Sequence, residues 1–295
     1  MKYLVLLFVF VIESVMASTP VKIIWPFGPV AATVPIRTMA ENANAAQKEY
    51  SFVLEFATGG GGSVAVNTAA QSKQPAILAH SSAFFVAPLV SADSMYDINE
   101  WRMMQHICDV SFAVASIKYK SIKDLPRDRA ISIGHLGVNT TTHFVMEYLA
   151  KTHNNMTAVP YKSSNQAIPD LLGGHVEMVV SLPGDLMKFQ DAGQLSILGI
   201  TGRTPIGQIP TLASLGYSDA ANMVIGYYFF VRKGTDPTVT RAWQSILAQA
   251  NNSAAETAMK NIYCRPSSVS RTELDAEFSR ANNFWQGIVR SVAKK

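Results

Sequence analysis

Five segments of this chain place glycine, proline and hydroxyl residues directly after an apolar run and directly before a helix-forming one: residues 26–34, 57–63, 80–83, 134–141 and 160–165. At such a junction the first turn of a helix presents backbone N–H groups with no intrahelical partner, at the positive end of the helix dipole. That is chemistry for holding an anion without a formal cation. Gly59 to Gly62 let the backbone come close to a ligand, and Ser63 and Thr140 to Thr142 add hydroxyl donors. The economical guest is a carboxylate. The residues expected to hold it are Phe27, Gly28, Pro29, Val30, Ala31 and Thr33 in the first segment, and Gly60, Gly61, Gly62 and Ser63 in the second. Ser81 and Ser82 follow in the third, Gly137, Asn139, Thr140 and Thr141 in the fourth, and Tyr161, Lys162, Ser163 and Ser164 in the fifth, with Ser181 after a later strand. Backbone N–H groups bind and hydroxyls orient. Any one of these segments is equally readable as an ordinary strand-to-helix turn, and the inference rests on five sharing one character.

Other chemistries fit less well. His143 and Glu147 stand one helical turn apart, as half of a zinc site would, but the second histidine of an H-E-x-x-H motif is missing, so no metal is expected. No G-x-S-x-G elbow, phosphate-binding P-loop or complete G-x-G-x-x-G fingerprint occurs, and neither an enzyme nor a cofactor is implied. Asp109, Asp170 and Asp185 read as turn or surface residues. Trp25, Phe27, Phe84, Phe85, Tyr161, Tyr227 and Tyr228 fall near strand ends, where some can line a cleft, although aromatics in strands more often belong to the core. Cys108 and Cys264 are compatible with one disulfide after export or with two buried thiols, and thiols are expected because a core this large does not need a bridge.

The elements that must position the junctions alternate. Strands are expected at 21–25, 52–56, 76–79, 112–115, 131–133, 157–160, 176–180, 196–200 and 227–232. Helices are expected at 35–47, 64–71, 141–152, 165–172, 184–191, 237–250 and 271–293. Strand, loop, helix and strand at this spacing indicate parallel βαβ units, whose loops gather at the carboxyl edge of a sheet.

The 295 residues are 48% hydrophobic and 16% charged, enough to bury a large core in one or two domains. The net charge of +4 comes from 25 basic and 21 acidic residues without a basic block, which argues against nucleic acid as a partner. Met1-Lys2-Tyr3 followed by nine apolar residues, Leu4 to Ile12, and then Val15-Met16-Ala17 has the layout of a secretory signal peptide over residues 1–17, cleaved after Ala17. Export to the periplasm is the corresponding expectation.

In sequence order, Trp25-Pro26-Phe27, Gly59 to Val64, Gly137 to Phe144, Val159 to Lys162, Asp170 to Met178, Ala192 to Leu195, Thr201-Gly202-Arg203, Ile209 to Leu212 and Leu215-Gly216-Tyr217 form a pattern covering nearly all of the mature chain. With these motifs the chain resembles the extracytoplasmic substrate-binding proteins of tripartite tricarboxylate transporters, the Bug family. The resemblance implies an α/β, type II periplasmic-binding-protein-like fold of two α/β lobes joined by two crossing segments, with ligand in the interlobe cleft. Lobe 1 would hold 18–115 plus 229–295 and lobe 2 would hold 116–228. It further implies a monomer that captures a small-molecule organic acid by lobe closure and delivers it to the membrane permease subunits of a tripartite transporter, with no chemical step. The first loop departs from the family pattern Pro-Pro-Gly-Gly-x-x-Asp: it reads Gly28-Pro29-Val30-Ala31-Ala32-Thr33-Val34, without the glycine pair or the acid. Phe56 and Ser181 stand where relatives often carry Asn and Asp. These departures keep open an orphan or sensory receptor of the same fold binding an aromatic or neutral solute, and more remotely a metal-dependent hydrolase built on His143 and Glu147.

Overall fold

The computed structural model describes residues 18–293 apart from 92, 93, 95 and 154, and apart from the side chains of 152 and 293. The expected signal peptide, 1–17, lies outside the described residues. Eleven strands and nine α-helices are found among those described. The first part of the chain runs β1 (Thr19–Trp25), α1 (Thr33–Ala46), β2 (Tyr50–Phe56), α2 (Ser63–Gln71), β3 (Ala76–Ser81), α3 (Ala83–Val90) and β4 (Trp101–Ser111). A second group follows: β5 (Ala113–Ser116), β6 (Ile131–His135), α4 (Thr141–His153), β7 (Met156–Pro160), α5 (Ser164–Leu172), β8 (Met178–Ser181), α6 (Pro183–Asp191) and β9 (Ser196–Ile200). The chain closes with β10 (Val224–Arg232), α7 (Pro237–Ala250), α8 (Ser253–Asn261), β11 (Cys264–Pro266) and α9 (Leu274–Ala293).

These strands build two sheets, in the orders β11-β4-β10-β3-β1-β2 and β7-β6-β8-β5-β9. β1 is parallel to β2 and β3, and β6 is parallel to β7 and β8, so each sheet contains the expected βαβ units. β10 is antiparallel to β3 and β4, and β5 is antiparallel to β8 and β9. The molecule is thus two α/β lobes, each with its own sheet. The chain crosses from the first sheet to the second at Phe112 and returns between Met223 and Val224. Sheet membership therefore changes slightly earlier than the expected edges at 115 and 228: β5 lies in the second sheet and all of β10 in the first. At the first crossing the Phe112 N–H donates to the Thr201 hydroxyl (2.7 Å), and the Thr201 N–H donates to the Phe112 carbonyl (2.8 Å).

Burial explains the helices. α1 turns Ile36, Met39, Ala40 and Ala43 inward at helical spacing, onto a core that includes Ile23, Trp25 and Phe229 of the sheet. A second core cluster contains Phe84, Phe85 and Phe230 of the first lobe and Phe112, Phe144 and Val180 of the second, so apolar packing is continuous between them. α9 joins both lobes: Phe278 packs edge-on against Phe85 at 5.2 Å, and the Ser291 carbonyl accepts from Lys151 of α4 at 2.8 Å.

Four elements were not expected from the sequence: α3, β4, α8 and β11. The last corrects the expectation for the cysteines. β11 pairs with β4, setting Cys264 opposite Val110 and bringing the Cys108 and Cys264 Cα atoms to 5.6 Å, and the two form a disulfide rather than two thiols. No helix among the described residues is long and apolar enough to cross a membrane.

Candidate functional site

Six strand-to-helix junctions converge on one cavity of about 840 Å³. The first lobe supplies three: Trp25, Phe27, Val30, Ala31 and Ala32 between β1 and α1, Gly60 and Gly61 before α2, and Ser81 and Ala83 at the start of α3. The second lobe supplies Leu136 and Val138 to Thr142 before α4, Lys162, Ser163 and Ser164 before α5, and Leu182 and Asp185 at α6. Ile225 and Tyr227 of β10 contribute to the wall, as do Val86, Ala87 and Val90 on the inner face of α3. Because the parallel strands of each sheet run the same way, their carboxyl ends collect these junctions on one side, where open α/β sheets bind ligands.

The helix ends at this cavity differ from those elsewhere. α1, α2, α5 and α6 begin without a side-chain cap on their N-terminal N–H groups, whereas at α3 the Ser81 hydroxyl accepts from the Ala83 N–H at 3.3 Å. In α4 the Thr140 hydroxyl accepts from the His143 N–H only at 3.4 Å. α7 and α8, which do not line the cavity, are capped by Asp236 and Asn252 at 2.6 and 3.0 Å. Acidic residues are also absent from the first turns of α1 to α5, leaving Asp185 of α6 as the exception. Uncapped N–H groups and positive dipole ends directed at one cavity form an anion cradle.

Twelve of the expected residues stand on its wall: Phe27, Val30, Ala31, Gly60, Gly61, Ser81, Asn139, Thr140, Thr141, Lys162, Ser163 and Ser164. Nine do not: Pro29 is exposed, and each of the others is turned to a structural partner or set behind the wall. Gly28, buried next to Pro29, faces Thr58. The Thr33 hydroxyl donates to the Val30 carbonyl at 2.6 Å. Gly62 (φ +107°) covers His80, so closely that a Cβ there would lie 2.3 Å from Nε2, and the Ser63 hydroxyl is folded back toward Gly60. Ser82 ties β3 to β10, accepting from the Gly226 N–H at 2.8 Å and donating its own N–H to the Gly226 carbonyl at 2.9 Å. The Gly137 carbonyl accepts from His135 Nδ1 (2.9 Å) and from the Thr140 hydroxyl (2.7 Å). The Tyr161 hydroxyl donates to Asp170 at 2.8 Å while its ring covers Gly134, and burial, reinforced by Asp170, pushes the phenol up to about 12. The Ser181 hydroxyl donates to Asp185 at 2.8 Å.

That last contact corrects the reading of Asp185 as a surface residue, because it holds a carboxylate on the cavity wall. Asp109 instead meets His106 (3.1 Å), and Asp170 serves Tyr161. Of the aromatics near strand ends, Trp25, Phe27 and Tyr227 line the cavity, whereas Phe84, Phe85 and Tyr228 are core. Trp25 and Tyr227 lie 5.8 Å apart, and the buried Trp25 Nε1 has no hydrogen-bond partner among the described residues. Burial, with the Asp185 charge adding to it, raises the Tyr227 phenol, which stays protonated and able to donate.

Histidines brace the cradle from behind. His80 Nδ1 donates to the Ser81 carbonyl at 3.0 Å, and complete burial lowers its pKa to about 4. The His135 and His143 rings lie 4.7 Å apart, tilted by 34°, and burial lowers both pKa values. His143 Nε2 lies 3.8 Å from Glu147. Among the described residues no group of three or more His, Cys, Asp or Glu side chains is placed to hold a metal. The motif Asp170 to Met178 is structural here, since Glu177 bonds Arg129 (2.6 Å) and Lys118 (2.7 Å) away from the cavity.

A family-wide sequence profile described as the tripartite tricarboxylate transporter family receptor matches residues 34–268. The protein BugT of Bordetella pertussis (strain Tohama I) is 27% identical over 251 residues, which span 75% of this chain and 73% of that protein. Among solved structures, the periplasmic binding protein BugD superposes with a TM-score of 0.77 at 20% identity, covering 93% of this chain and 98% of that one. An R. palustris protein solved with adipate gives a TM-score of 0.77 at 18% identity, covering 94% and 97%.

Proposed function

Because this chain belongs to the tripartite tricarboxylate transporter receptor family, we propose that it is an exported, monomeric binding protein that captures a small organic acid between its lobes and delivers it to the permease subunits of such a transporter. Residues 1–17 direct export and are removed after Ala17, leaving the mature chain in the periplasm. The two lobes, about 18–111 with 224–293 and 113–223, close on the acid by hinge motion at the crossings around Phe112 and Met223. No bond is made or broken in the ligand.

One observation carries this reading: α2 and α5, which start at the cavity, lack the side-chain caps found on α7 and α8, which leaves first-turn N–H groups there for an anion. Thr141, Ser163 and Ser164 add hydroxyl donors that orient a carboxylate, and Lys162 adds a positive charge at the rim. A neighbour of the same fold was solved with adipate, a ligand of the proposed chemical kind.

The test is calorimetric titration with pairs of organic acids and their amides, which differ in charge but little in shape. The acids are expected to bind at least tenfold more tightly than the amides. Folded protein that binds no acid, or binds amides equally well, would contradict the proposal.

A further inference from the structure

Building on the carboxylate-capturing reading above, we infer that the acid is a monocarboxylate on an apolar, ring-sized body, and that Asp185 disfavours acids carrying a second carboxylate. The six helix ends are not equivalent. At α1 the N–H groups of Thr33 and Val34 already donate to the carbonyls of Val30 and Ala31 (2.9 and 3.1 Å), and the wall there is Val30, Ala31 and Ala32. At α6 the helix end carries its own anion, Asp185, fixed by the Ser181 hydroxyl at 2.8 Å. The ends left for a carboxylate are chiefly those of α2, α4 and α5, where Gly60, Thr141, Ser163 and Lys162, the one cation among the described wall residues, stand.

The rest of the wall is apolar. Trp25 and Tyr227 lie side by side, α3 presents Val86 and Val90, and Phe27 and Val138 face the cavity from opposite lobes. Phe27 and Val138 are 38% and 62% exposed. Apolar side chains held open to water on both sides of a cleft gain most from a guest whose own surface is apolar. A second carboxylate would have to share a partly desolvated cavity with the anchored Asp185 charge, where like charges repel more strongly than in bulk water. One anionic end and one apolar body satisfy the cavity, whereas two anionic ends do not.

Calorimetric titration of the purified protein with benzoate, phenylacetate, succinate, adipate and citrate at one ionic strength tests this. Benzoate or phenylacetate is expected to bind at least tenfold more tightly than succinate or citrate. Asp185→Asn is expected to shift the succinate-to-benzoate affinity ratio about tenfold toward succinate. Val138→Ser, at an exposed position that does not endanger folding, is expected to shift it the same way by weakening benzoate. Tightest binding of succinate, adipate or citrate, with a ratio unmoved by Asp185→Asn, overturns this inference and leaves the binding of organic acids standing. Failure of every acid to bind overturns both.

Discussion

In the turn that opens α4, the backbone N–H of Asn139 donates to Nδ1 of His143 at 3.3 Å, from a residue held at φ +61°. The acceptor exists only while that nitrogen is unprotonated, so neutral His143 helps keep Asn139 and its neighbours on the cavity wall. Burial lowers the His143 pKa, so the imidazole is neutral at pH 7 and takes up its proton below the usual 6.5.

An NMR pH titration reads this directly. The Asn139 amide resonance is expected to move with a midpoint below 6.5, matching the His143 imidazole, and to lose that transition in His143→Gln. An Asn139 amide that does not move while the His143 imidazole itself titrates would contradict the coupling.

His80 sets the broader acid sensitivity. Its pKa is lowered to about 4, first by burial, against which its bond to the Ser81 carbonyl works only in part. The unfolded chain takes up this proton near 6.5 and the folded chain near 4, so the contribution is fully present above 6.5 and is lost as pH falls toward 4. The loss amounts to on the order of 3 kcal/mol. Urea unfolding at pH 7 and pH 4.5 is expected to show most of it, and His80→Gln to flatten the dependence. An equal slope in the variant would assign the effect elsewhere.

Gly62 lies directly above that ring at φ +107°, where a Cβ would stand 2.3 Å from Nε2. Gly62→Ala combines left-handed strain with this clash. It is expected to destabilise by about 2–4 kcal/mol and to weaken acid binding by distorting Gly60 and Gly61. Wild-type unfolding and binding in the variant would show that the loop relaxes freely.

Ser82 separates structure from binding. Its hydroxyl accepts from the Gly226 N–H at 2.8 Å at a fully buried position. Ser82→Ala leaves that N–H without its acceptor and is expected to cost about 1–3 kcal/mol of stability, while acid affinity falls less than threefold. Ser81 lines the cavity, and Ser81→Ala is expected to do the reverse. Exchanged outcomes would mean that the two hydroxyls have been assigned the wrong way round.

The disulfide closes a separation of 156 residues and pins β11 to β4. Its removal in a Cys108→Ala, Cys264→Ala double variant is expected to cost about 2–5 kcal/mol, measured by urea unfolding. An unchanged midpoint would show that the two strands hold each other without it.

Much of this arrangement was legible in the sequence because glycine, proline and hydroxyl clusters mark where strands end and helices start. What escaped depends on contacts between distant residues. α3 reads Ala83-Phe84-Phe85-Val86-Ala87-Pro88-Leu89-Val90, apolar on every side and interrupted by a proline, so no helical period shows. In β4 the polar residues Arg102, Gln105, His106 and Asp109 break the apolar pattern, and His106, which meets Asp109 of its own strand, finds Glu277 only once α9 packs against the strand. The cavity role of Asp185 and the pairing of Cys108 with Cys264 likewise follow from which strands become neighbours, which spacing along one chain does not encode. Tyr161 and Ser82 show the converse: residue types suited to a ligand were recruited by Asp170 and Gly226 instead.

The most direct test of the central claim is a crystal structure of the protein grown with the tightest-binding acid. The carboxylate is expected between the lobes, within hydrogen-bond distance of backbone N–H groups at the starts of α4 or α5 in the second lobe and of Gly60 or Gly61 in the first. An acid bound outside this cavity, or one whose carboxylate meets none of those helix ends, would contradict the account.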